Sequence, residues 1–289
     1  AFSINTDNVN VMDYETQEID DALHSAEYLV IDMSDCDYLY AKNADARMYP
    51  ASLTKLVTMD AVLNLSEDLS DHSSVTYDQV EALIDEDASL AYIQRDYPYT
   101  LSDLLYGLIL PSGADAALAL ENYYDSLGIS LVDEMNTLCQ ELGCTMTHFT
   151  NSTGLHDDDH YTCLNDLYLV VRDILKFEKG REILNSLSHT LEDGTVVRTT
   201  MGVAYRDLDF VILGGKTGYT DLAWQIGNLP DEDVVRLCRA YGTERVLFGT
   251  DGPWKREDTD IARLLQMGFS DSELANILYR NAANLLGLG

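Results

Sequence analysis

The order of predicted elements indicates an α/β fold in which an antiparallel sheet, flanked by helices, carries an inserted all-helical region. Segments 27–32 and 38–41 have strand character and a polar turn between them, so they predict a hairpin. Four stretches between residues 56 and 142 have helical patterns, and another apolar strand is predicted at 210–213. Strands, then helices, then a strand is the order expected when helices are inserted into a sheet.

The elements follow from local patterns. The first turn is the polar run Ser34-Asp35-Cys36-Asp37. Four stretches have the apolar spacing of helices: 56–65, 100–108, 115–127 and 130–142. Gly128 and Gly143 directly follow the last two, where glycine commonly ends a helix. The sequence therefore predicts four helices between the hairpin and the later strand.

Composition narrows the possible functions. The chain has 289 residues, of which 46% are hydrophobic, enough for one large domain or two small ones with a real core. Eighteen Lys and Arg against 50 Asp and Glu give a net charge of −32. That charge argues against nucleic-acid and anionic-membrane partners, since both require clustered cations. It is typical of a soluble, self-repelling surface.

The sequence contains no sign of membrane insertion. No apolar run is long enough to span a bilayer, so membrane association is not encoded in this chain. Residues 1–27 have no basic or apolar signal-peptide region, so a signal peptide is expected to be absent or already removed.

The five cysteines give no metal or redox motif. They are an odd, scattered set without C-x-x-C spacing, which argues against a disulfide framework, a metal site or a cofactor site. Cys139 and Cys144 are close enough in sequence to pair, although buried free thiols are the favoured interpretation. The cysteines are Cys36, Cys139, Cys144, Cys163 and Cys238.

The charge changes abruptly near residue 223. Residues 1–223 hold 11 Lys and Arg and 40 Asp and Glu, a net charge of −29, whereas residues 224–289 hold 7 and 10, a net charge of −3. Such a break suggests two sequence histories. We therefore predict an N-terminal extension at 1–26, a first domain at 27–223 and a C-terminal fragment at 224–289.

Three short motifs stand in an informative order. Ser52-Leu53-Thr54-Lys55 is an S-x-x-K that follows Pro50 at a predicted helix start, which puts Ser52 and Lys55 on one face. A lysine whose pKa is lowered by burial or nearby cations can take the serine proton, and the helix N-terminus favours a developing oxyanion. Alone, this motif is more typical of an ordinary helix turn with a surface lysine.

The other two motifs complete the set. Ser112-Gly113-Ala114 occupies an S-x-N position between two predicted helices, where Ser112 can pass a proton or simply cap a loop. Lys216-Thr217-Gly218 follows an apolar strand and can offer a cation and a hydroxyl to a substrate carboxylate, or be a strand end. Gly218 leaves room for an extended substrate. The ordered set indicates a serine acyl-transfer site.

These motifs resemble those of serine D-alanyl-D-alanine carboxypeptidases, the low-molecular-weight penicillin-binding proteins. The resemblance runs over about residues 27–221 and includes the segments 40–45, 50–55, 110–117, 147–157, 161–162 and 214–220. It implies the β-lactamase/DD-peptidase-like fold. It also implies an extracytoplasmic location, in the bacterial cell envelope or secreted.

The resemblance assigns roles. Ser52 would attack the carbonyl between the last two D-alanines of a peptidoglycan stem peptide, with Lys55 as general base and Ser112 as proton relay. Lys216 and Thr217 would hold the terminal carboxylate. The backbone N–H groups of Ser52 and Tyr219 would form the oxyanion hole, and β-lactam antibiotics would acylate Ser52 as covalent inhibitors. No cofactor is implied.

Two features depart from that family. Ala114 stands where the S-x-N motif has Asn, and alanine has no amide to contact the substrate or Lys55. The tail at about 224–288 instead resembles the C-terminal end of metal-dependent amidohydrolases, which are β/α barrels. There, Asp251 would follow the last strand, at 245–250. All six histidines precede residue 224 without an H-x-H, and the tail is too short to close a barrel. We therefore predict a partial segment with no metal site.

Three other functions stay open. A serine β-lactamase of the same fold needs a deacylation base in an E-x-x-L-N loop, and Glu182-Ile183-Leu184-Asn185 is one residue short of it. A catalytically silent binding protein is suggested by Ala114 and the foreign tail. An amidohydrolase is disfavoured because the histidine ligands are missing.

Overall fold

The computed structural model describes residues 27–33, 36–201, 214–218, 270 and 272–273. The chain divides into two compact units, Ala1–Thr220 and Asp221–Gly289. All the elements described below belong to the first unit. In the second, Ser272 and Glu273 are helical, and Ser270 and Glu273 exchange the hydrogen bonds of a capping box.

The described part of the first unit contains seven α-helices. In chain order, α1 to α7 are Thr54–Leu65, Tyr77–Asp85, Leu101–Ile109, Ala114–Ser126, Leu131–Leu142, Leu164–Ile174 and Glu178–Asn185. A short 3-10 turn, Ala51–Leu53, leads directly into α1.

The four helices predicted from spacing correspond to α1, α3, α4 and α5, and these predictions are confirmed. Gly143 ends α5 with a φ of 87°, in the left-handed region that suits glycine. Gly128 has a φ of 76° just beyond α4, so both glycines lie where helix ends were predicted. The helices α2, α6 and α7 were not predicted.

The described strands form three antiparallel pairs. The predicted hairpin is confirmed: β1, Tyr28–Asp32, pairs with β2, Asp37–Lys42, with Val30 opposite Tyr40 and an irregularity after Val30. The short strands β3, His72–Ser73, and β4, Tyr99–Thr100, pair between helices. The last pair is β5, Ser188–Thr190, and β6, Val196–Arg198.

Several predicted elements lie outside the described residues. These are the strand at 210–213, residues 34–35 of the first turn and the tail strand at 245–250 with Asp251. Residues 214–218 are described and belong to no helix or strand.

Helix α1 is the central element of the core. Every residue from Thr54 to Leu63 is buried, since α1 is contacted by α3, α5 and α6. Buried leucines of α3 and alanines of α4 extend the same cluster. A helix buried on all sides is rigid, so the side chains at its N-terminus are held in fixed positions. In the described residues no helix has the length and apolar character needed to cross a membrane.

Candidate active site

The S-x-x-K motif spans the junction between the 3-10 turn and α1. Ser52 lies within the turn, and Lys55 is the second residue of α1. The turn is closed by Leu53 N–H, which donates to Pro50 O at 3.0 Å. The junction brings Lys55 Nζ to 3.2 Å from Ser52 Oγ, within hydrogen-bond distance. The two side chains are therefore placed for proton transfer.

Lys55 is almost completely buried, with 2% of its surface exposed. Its Nζ also donates to the carbonyl oxygen of Thr153 at 2.5 Å. Burial, reinforced by the positive charge of Lys216 and only partly opposed by the charge of Asp115, lowers the pKa of Lys55 to about 7. A large fraction of Lys55 is therefore neutral near pH 7 and able to accept a proton.

The segment after α5 supports the 3-10 turn Ala51–Leu53, which contains Ser52 and is called the nucleophile turn below. Gly154 has a φ of 81°, and a Cβ on it would lie 2.1 Å from Ala51 O, so only glycine fits this close approach. Asn151 Oδ1 fixes the segment by accepting from the N–H groups of Thr153 and Gly154, at 3.2 and 2.8 Å. These contacts place the Thr153 carbonyl at Lys55.

His160 anchors the same segment to α1. Its Nδ1 accepts from Thr150 N–H at 3.1 Å, so the proton of the neutral ring is on Nε2, which lies 2.7 Å from Thr54 Oγ1. Burial lowers the pKa of His160 to about 4. His160 is thus a neutral donor to a residue of the S-x-x-K motif itself.

Ser112 lies in the tight connection between α3 and α4. It is buried and has a φ of 65°, which is strained for a residue with a side chain. Its Oγ accepts from Lys216 Nζ at 2.8 Å. The next residue, Gly113, has no room for a Cβ, which would lie 2.6 Å from the Ala91 Cβ. The loop is therefore closely packed around the Ser112 hydroxyl.

The polar groups of Ala114 and Asp115 are bonded to the segment of residues 89–93. The N–H of Ala114 donates to Ser89 O at 2.8 Å. The Asp115 carboxylate accepts from the N–H groups of Ala91 and Ile93 at 2.8 and 3.2 Å, and burial raises its pKa despite these bonds. Asp115 therefore does not replace the missing Asn at position 114.

The K-T-G segment lies close to the nucleophile turn at Gly218. A Cβ on Gly218 would lie 3.1 Å from Pro50 O and 3.0 Å from the Leu53 side chain. Lys216 Nζ donates to Thr217 O at 2.6 Å as well as to Ser112, and burial lowers its pKa to about 7. Thr217 is exposed, and its hydroxyl lies 2.7 Å from that of Thr200. Tyr219 lies outside the described residues.

The structure thus brings the predicted side chains together as two bonded pairs, Ser52 with Lys55 and Ser112 with Lys216. The charge of Lys216 helps to lower the pKa of Lys55, which couples the pairs electrostatically. The arrangement can supply a serine nucleophile, a neutral amine as base and a second amine for an anion. No group of three metal-binding side chains occurs among the described residues.

Sequence reasoning missed several contributors to this site. Asn151, Gly154 and His160 were noted only as part of, or next to, a family-like segment, and Thr200 not at all. The paired signals Asn151-x-x-Gly154 and His160 were present in the sequence. Asn151 bonds within its own segment. Gly154 and His160 contact Ala51 and Thr54, about 100 residues earlier in the chain, which no local pattern identifies.

Comparison with family models finds two matches along the chain. Residues 13–226 match the D-alanyl-D-alanine carboxypeptidase family, and residues 203–288 match the amidohydrolase family. The two matched ranges overlap at 203–226. Both predicted resemblances are confirmed.

Curated relatives are named for the same activity. The chain is 26% identical over 248 residues to D-alanyl-D-alanine carboxypeptidase DacF of Bacillus subtilis, covering 84% of this chain and 61% of the relative. It is 31% identical over 169 residues to the D-alanyl-D-alanine carboxypeptidase of Streptomyces sp. strain K15, covering 56% of this chain and 57% of the relative. The chain thus spans about three fifths of the length of these relatives.

Solved structures with the same architecture include the Streptomyces K15 DD-transpeptidase and penicillin-binding protein 5 of Haemophilus influenzae. The match to the first has a TM-score of 0.57 at 26% identity and extends over 64% of this chain and 76% of the Streptomyces chain. The second has a TM-score of 0.58 at 26% identity and covers 68% and 58%. The predicted β-lactamase-like α/β fold is confirmed. Since the family match extends over well over half of its residues, the chain belongs to the D-alanyl-D-alanine carboxypeptidase family.

Proposed function

We propose that the chain is a serine-type D-alanyl-D-alanine carboxypeptidase that acts on peptidoglycan stem peptides through an acyl-enzyme on Ser52. The observation that carries the proposal is the buried Lys55, whose Nζ lies 3.2 Å from Ser52 Oγ and whose pKa is lowered to about 7. The names of the relatives and the family match support the choice of substrate.

Acylation begins with proton transfer from Ser52 to neutral Lys55. Ser52 Oγ forms a bond to the carbonyl carbon of the penultimate D-alanine, and the resulting oxyanion is held by the N–H groups of Ser52 and Tyr219. The bond from this carbon to the nitrogen of the last D-alanine then breaks. That nitrogen receives the proton from Lys55 through the Ser112 hydroxyl, and free D-alanine leaves.

The second lysine holds the substrate. Lys216 and Thr217 bind the terminal carboxylate, the usual use of a cation and a hydroxyl side by side. The contact of Gly218 with the nucleophile turn supports this role, because it places the K-T-G segment next to Ser52. Gly218 itself leaves space for the extended peptide.

Deacylation returns the site to its first state. Water attacks the ester carbon, the bond to Ser52 Oγ breaks, and the proton taken up by Lys55 from water passes to Ser52. A β-lactam acylates Ser52 in the same way, but its leaving nitrogen stays tethered, so we propose that β-lactams are covalent inhibitors that turn over slowly.

The alternative β-lactamase function has no support from the described residues. Glu182, the acid of the incomplete E-x-x-L-N sequence, pairs with Tyr106 Oη at 2.5 Å and with Lys179 at 2.9 Å. These partners belong to α3 and α7, not to the S-x-x-K turn.

We further propose the organisation that the charge break suggests. Residues 1–26 are an N-terminal extension, 27–223 the peptidase domain and 224–289 an amidohydrolase-like fragment. The protein acts outside the cytoplasm, at the cell envelope or secreted, where its substrate is found. The family match supports this location.

The test is intact-mass analysis after incubation with benzylpenicillin, alongside assay of D-alanine release from an N-acylated Lys-D-Ala-D-Ala peptide. We expect one penicilloyl adduct and measurable release in the parent, and neither in Ser52→Ala. Circular dichroism is the check that the parent and Ser52→Ala are both folded. A folded parent with neither adduct nor release would contradict the proposal, and fast nitrocefin turnover would favour the β-lactamase alternative.

A further inference from the structure

Backbone strain also marks a residue in the loop that is bonded to the residues after Ser112. Seven non-glycine residues in the described part of the chain have positive φ angles, and three of them are Asn or Asp, which tolerate this conformation. The other four are Cys36, Ala51, Tyr92 and Ser112. Ala51 precedes the nucleophile and Ser112 belongs to the site. Strain in a bulky residue is often retained for function, which directs attention to Tyr92, with a φ of 57°.

The loop that carries Tyr92 is bonded to the Ser112 loop on both sides of the tyrosine. The N–H groups of Ala91 and Ile93 donate to the two oxygens of the Asp115 carboxylate, at 2.8 and 3.2 Å. Ser89 O accepts from Ala114 N–H at 2.8 Å. The Ala91 methyl group occupies the space that a side chain at Gly113 would need. Tyr92 is therefore held in place by the residues that follow Ser112.

The rest of the loop is also fixed. Gln94 N–H donates to Tyr99 Oη at 2.9 Å, and that hydroxyl donates to Asp193 at 2.7 Å. Ala91 and Ile93 are buried, each about 5% exposed, whereas Tyr92 is 80% exposed, the largest value among the exposed apolar and aromatic side chains of the described residues. A rigid loop, bonded to the residues that follow Ser112, thus presents one aromatic ring to solvent.

We propose that Tyr92 is a specificity-determining residue that contacts the aliphatic part of the stem-peptide residue preceding the two D-alanines. This inference rests on the proposed function. Ser112 presents its hydroxyl to Lys216, which holds the terminal carboxylate, while the residues after Ser112 carry the Tyr92 loop. We therefore assign the ring to the part of the peptide that lies away from the carboxylate. A rigid aromatic face there gives the peptide apolar contact with little loss of side-chain entropy.

The test compares two substrates, of which only one is long enough to reach Tyr92. N-acylated Lys-D-Ala-D-Ala contains the preceding residue, and N-acetyl-D-Ala-D-Ala lacks it. For Tyr92→Ala we expect kcat/KM to fall by roughly five- to tenfold with the longer peptide, mostly through KM, and to change less than about twofold with the shorter one. Tyr92→Phe keeps the ring and should behave like the parent.

Two controls separate the ring from its backbone. Tyr92→Gly also removes the strain, so it should unfold at a higher temperature than Tyr92→Ala yet show the same substrate-dependent loss. Tyr77→Ala removes another exposed tyrosine, on α2, and should leave kcat/KM unchanged for both substrates.

The outcomes distinguish the two proposals. Equal kcat/KM for Tyr92→Ala and parent, or an equal loss with both peptides, overturns the role of Tyr92 while leaving the peptidase activity established. A parent that forms no penicillin adduct and releases no D-alanine overturns both. A loss confined to the longer peptide, absent from Tyr92→Phe, supports the assignment.

Discussion

Lys55 and Lys216 are two amines in one site, and burial lowers the pKa of each to about 7. For Lys55 the neighbouring charge of Lys216 is the second cause of the shift. Only the neutral form of Lys55 accepts the serine proton, so acylation should accelerate as pH rises through about 7. The charge of Lys216 thus helps to determine the pH at which Lys55 can accept a proton.

Replacing Lys216 by glutamine should therefore move the pH profile. With the neighbouring cation gone, the pKa of Lys55 rises, and we expect the midpoint for penicillin acylation to shift upward by about one unit. The rate of adduct formation across pH measures the midpoint independently of any loss in binding strength. Lys179→Gln, a matched change on α7, should leave the midpoint unchanged. A midpoint that stays or falls in Lys216→Gln would contradict the coupling.

His160 should make the free energy of unfolding decrease at acidic pH. Its folded pKa of about 4 is below the ordinary value of 6.5, so the unfolded chain binds more protons between these values. The contribution of neutral His160 to the free energy of unfolding, about 3 kcal/mol, is fully present above pH 6.5 and is lost as pH falls toward 4.

Urea unfolding of parent and variants at several pH values tests this prediction. His160→Gln should be less stable near pH 7 but lose less stability on acidification than the parent. His72→Gln, on β3 and not among the charges that act on His160, is the matched control for the loss of a histidine. If His160→Gln loses as much as the parent, the buried neutral histidine is not the cause.

At the scale of elements, the nucleophile turn depends on the segment around Gly154. A Cβ on Gly154 would overlap Ala51 O, and its φ of 81° is also unfavourable for alanine. We expect Gly154→Ala to lower the free energy of unfolding by about 3 kcal/mol or more and to slow penicillin acylation by at least about tenfold.

Gly194→Ala separates strain from overlap. Gly194 has a similar φ of 87°, but nothing lies within 4 Å of a Cβ placed there. Its substitution should cost only about 1 kcal/mol and leave acylation unchanged. Chemical unfolding and adduct formation measure both effects, and equal costs for the two variants would show that the close approach to Ala51 is unimportant.

Helices α1 and α6 are joined by a buried carboxyl pair. Asn64 Nδ2 donates to Asp60 Oδ1 at 3.3 Å and to Asp173 Oδ2 at 3.1 Å, and Lys176 Nζ lies 2.5 Å from Asp173 Oδ1. Burial, and then the charge of Asp173, raise the pKa of Asp60 to about 9. Asp60 is therefore protonated when folded and ionised when unfolded at neutral pH.

Asp60→Asn should reproduce the protonated state. In the parent the folded state binds the extra proton between pH 3.8 and about 9, so stability falls as pH rises through this window. The asparagine variant lacks this loss, and we expect it to gain stability relative to the parent as pH rises, as measured by urea unfolding. Asp85→Asn, an exposed change at the end of α2, should show no such trend. A constant difference between Asp60→Asn and parent would contradict a protonated Asp60.

On the scale of the whole molecule, the net charge of −32 opposes compactness. Raising sodium chloride from about 10 mM to about 1 M shortens the Debye length from about 30 to about 3 Å, which screens this repulsion. We expect the thermal midpoint to rise by several degrees. Near the isoelectric point, about pH 4.1, the salt effect should disappear. A midpoint at neutral pH that falls with salt would mean that attractive ion pairs outweigh the repulsion.

Much of the helical fold was predictable because its signals are local. Apolar spacing and terminal glycines identified α1, α3, α4 and α5. Helix α2 has a capping box formed by Thr76 and Gln79, a signal that was present and not used. Helix α6 begins at Leu164, and the preceding Cys163 forms no side-chain cap, so the helix start had no local marker.

The site was only partly predictable. Motif order identified Ser52, Lys55, Ser112 and Lys216, and the structure brings all four together. The partner that holds Lys55 is the Thr153 carbonyl, which every residue type possesses, so its part depends on the chain path alone. The pKa of Lys55 likewise depends on burial by distant helices.

The paired lysines have a consequence for calorimetry. Near pH 7 the two amines together hold fewer than two protons, because each has a pKa of about 7. A ligand carboxylate placed against Lys216 favours its charged form, so binding draws a proton from the buffer. The measured heat of binding then contains the ionisation enthalpy of that buffer. Titrations in phosphate and in Tris would report different enthalpies for one and the same ligand.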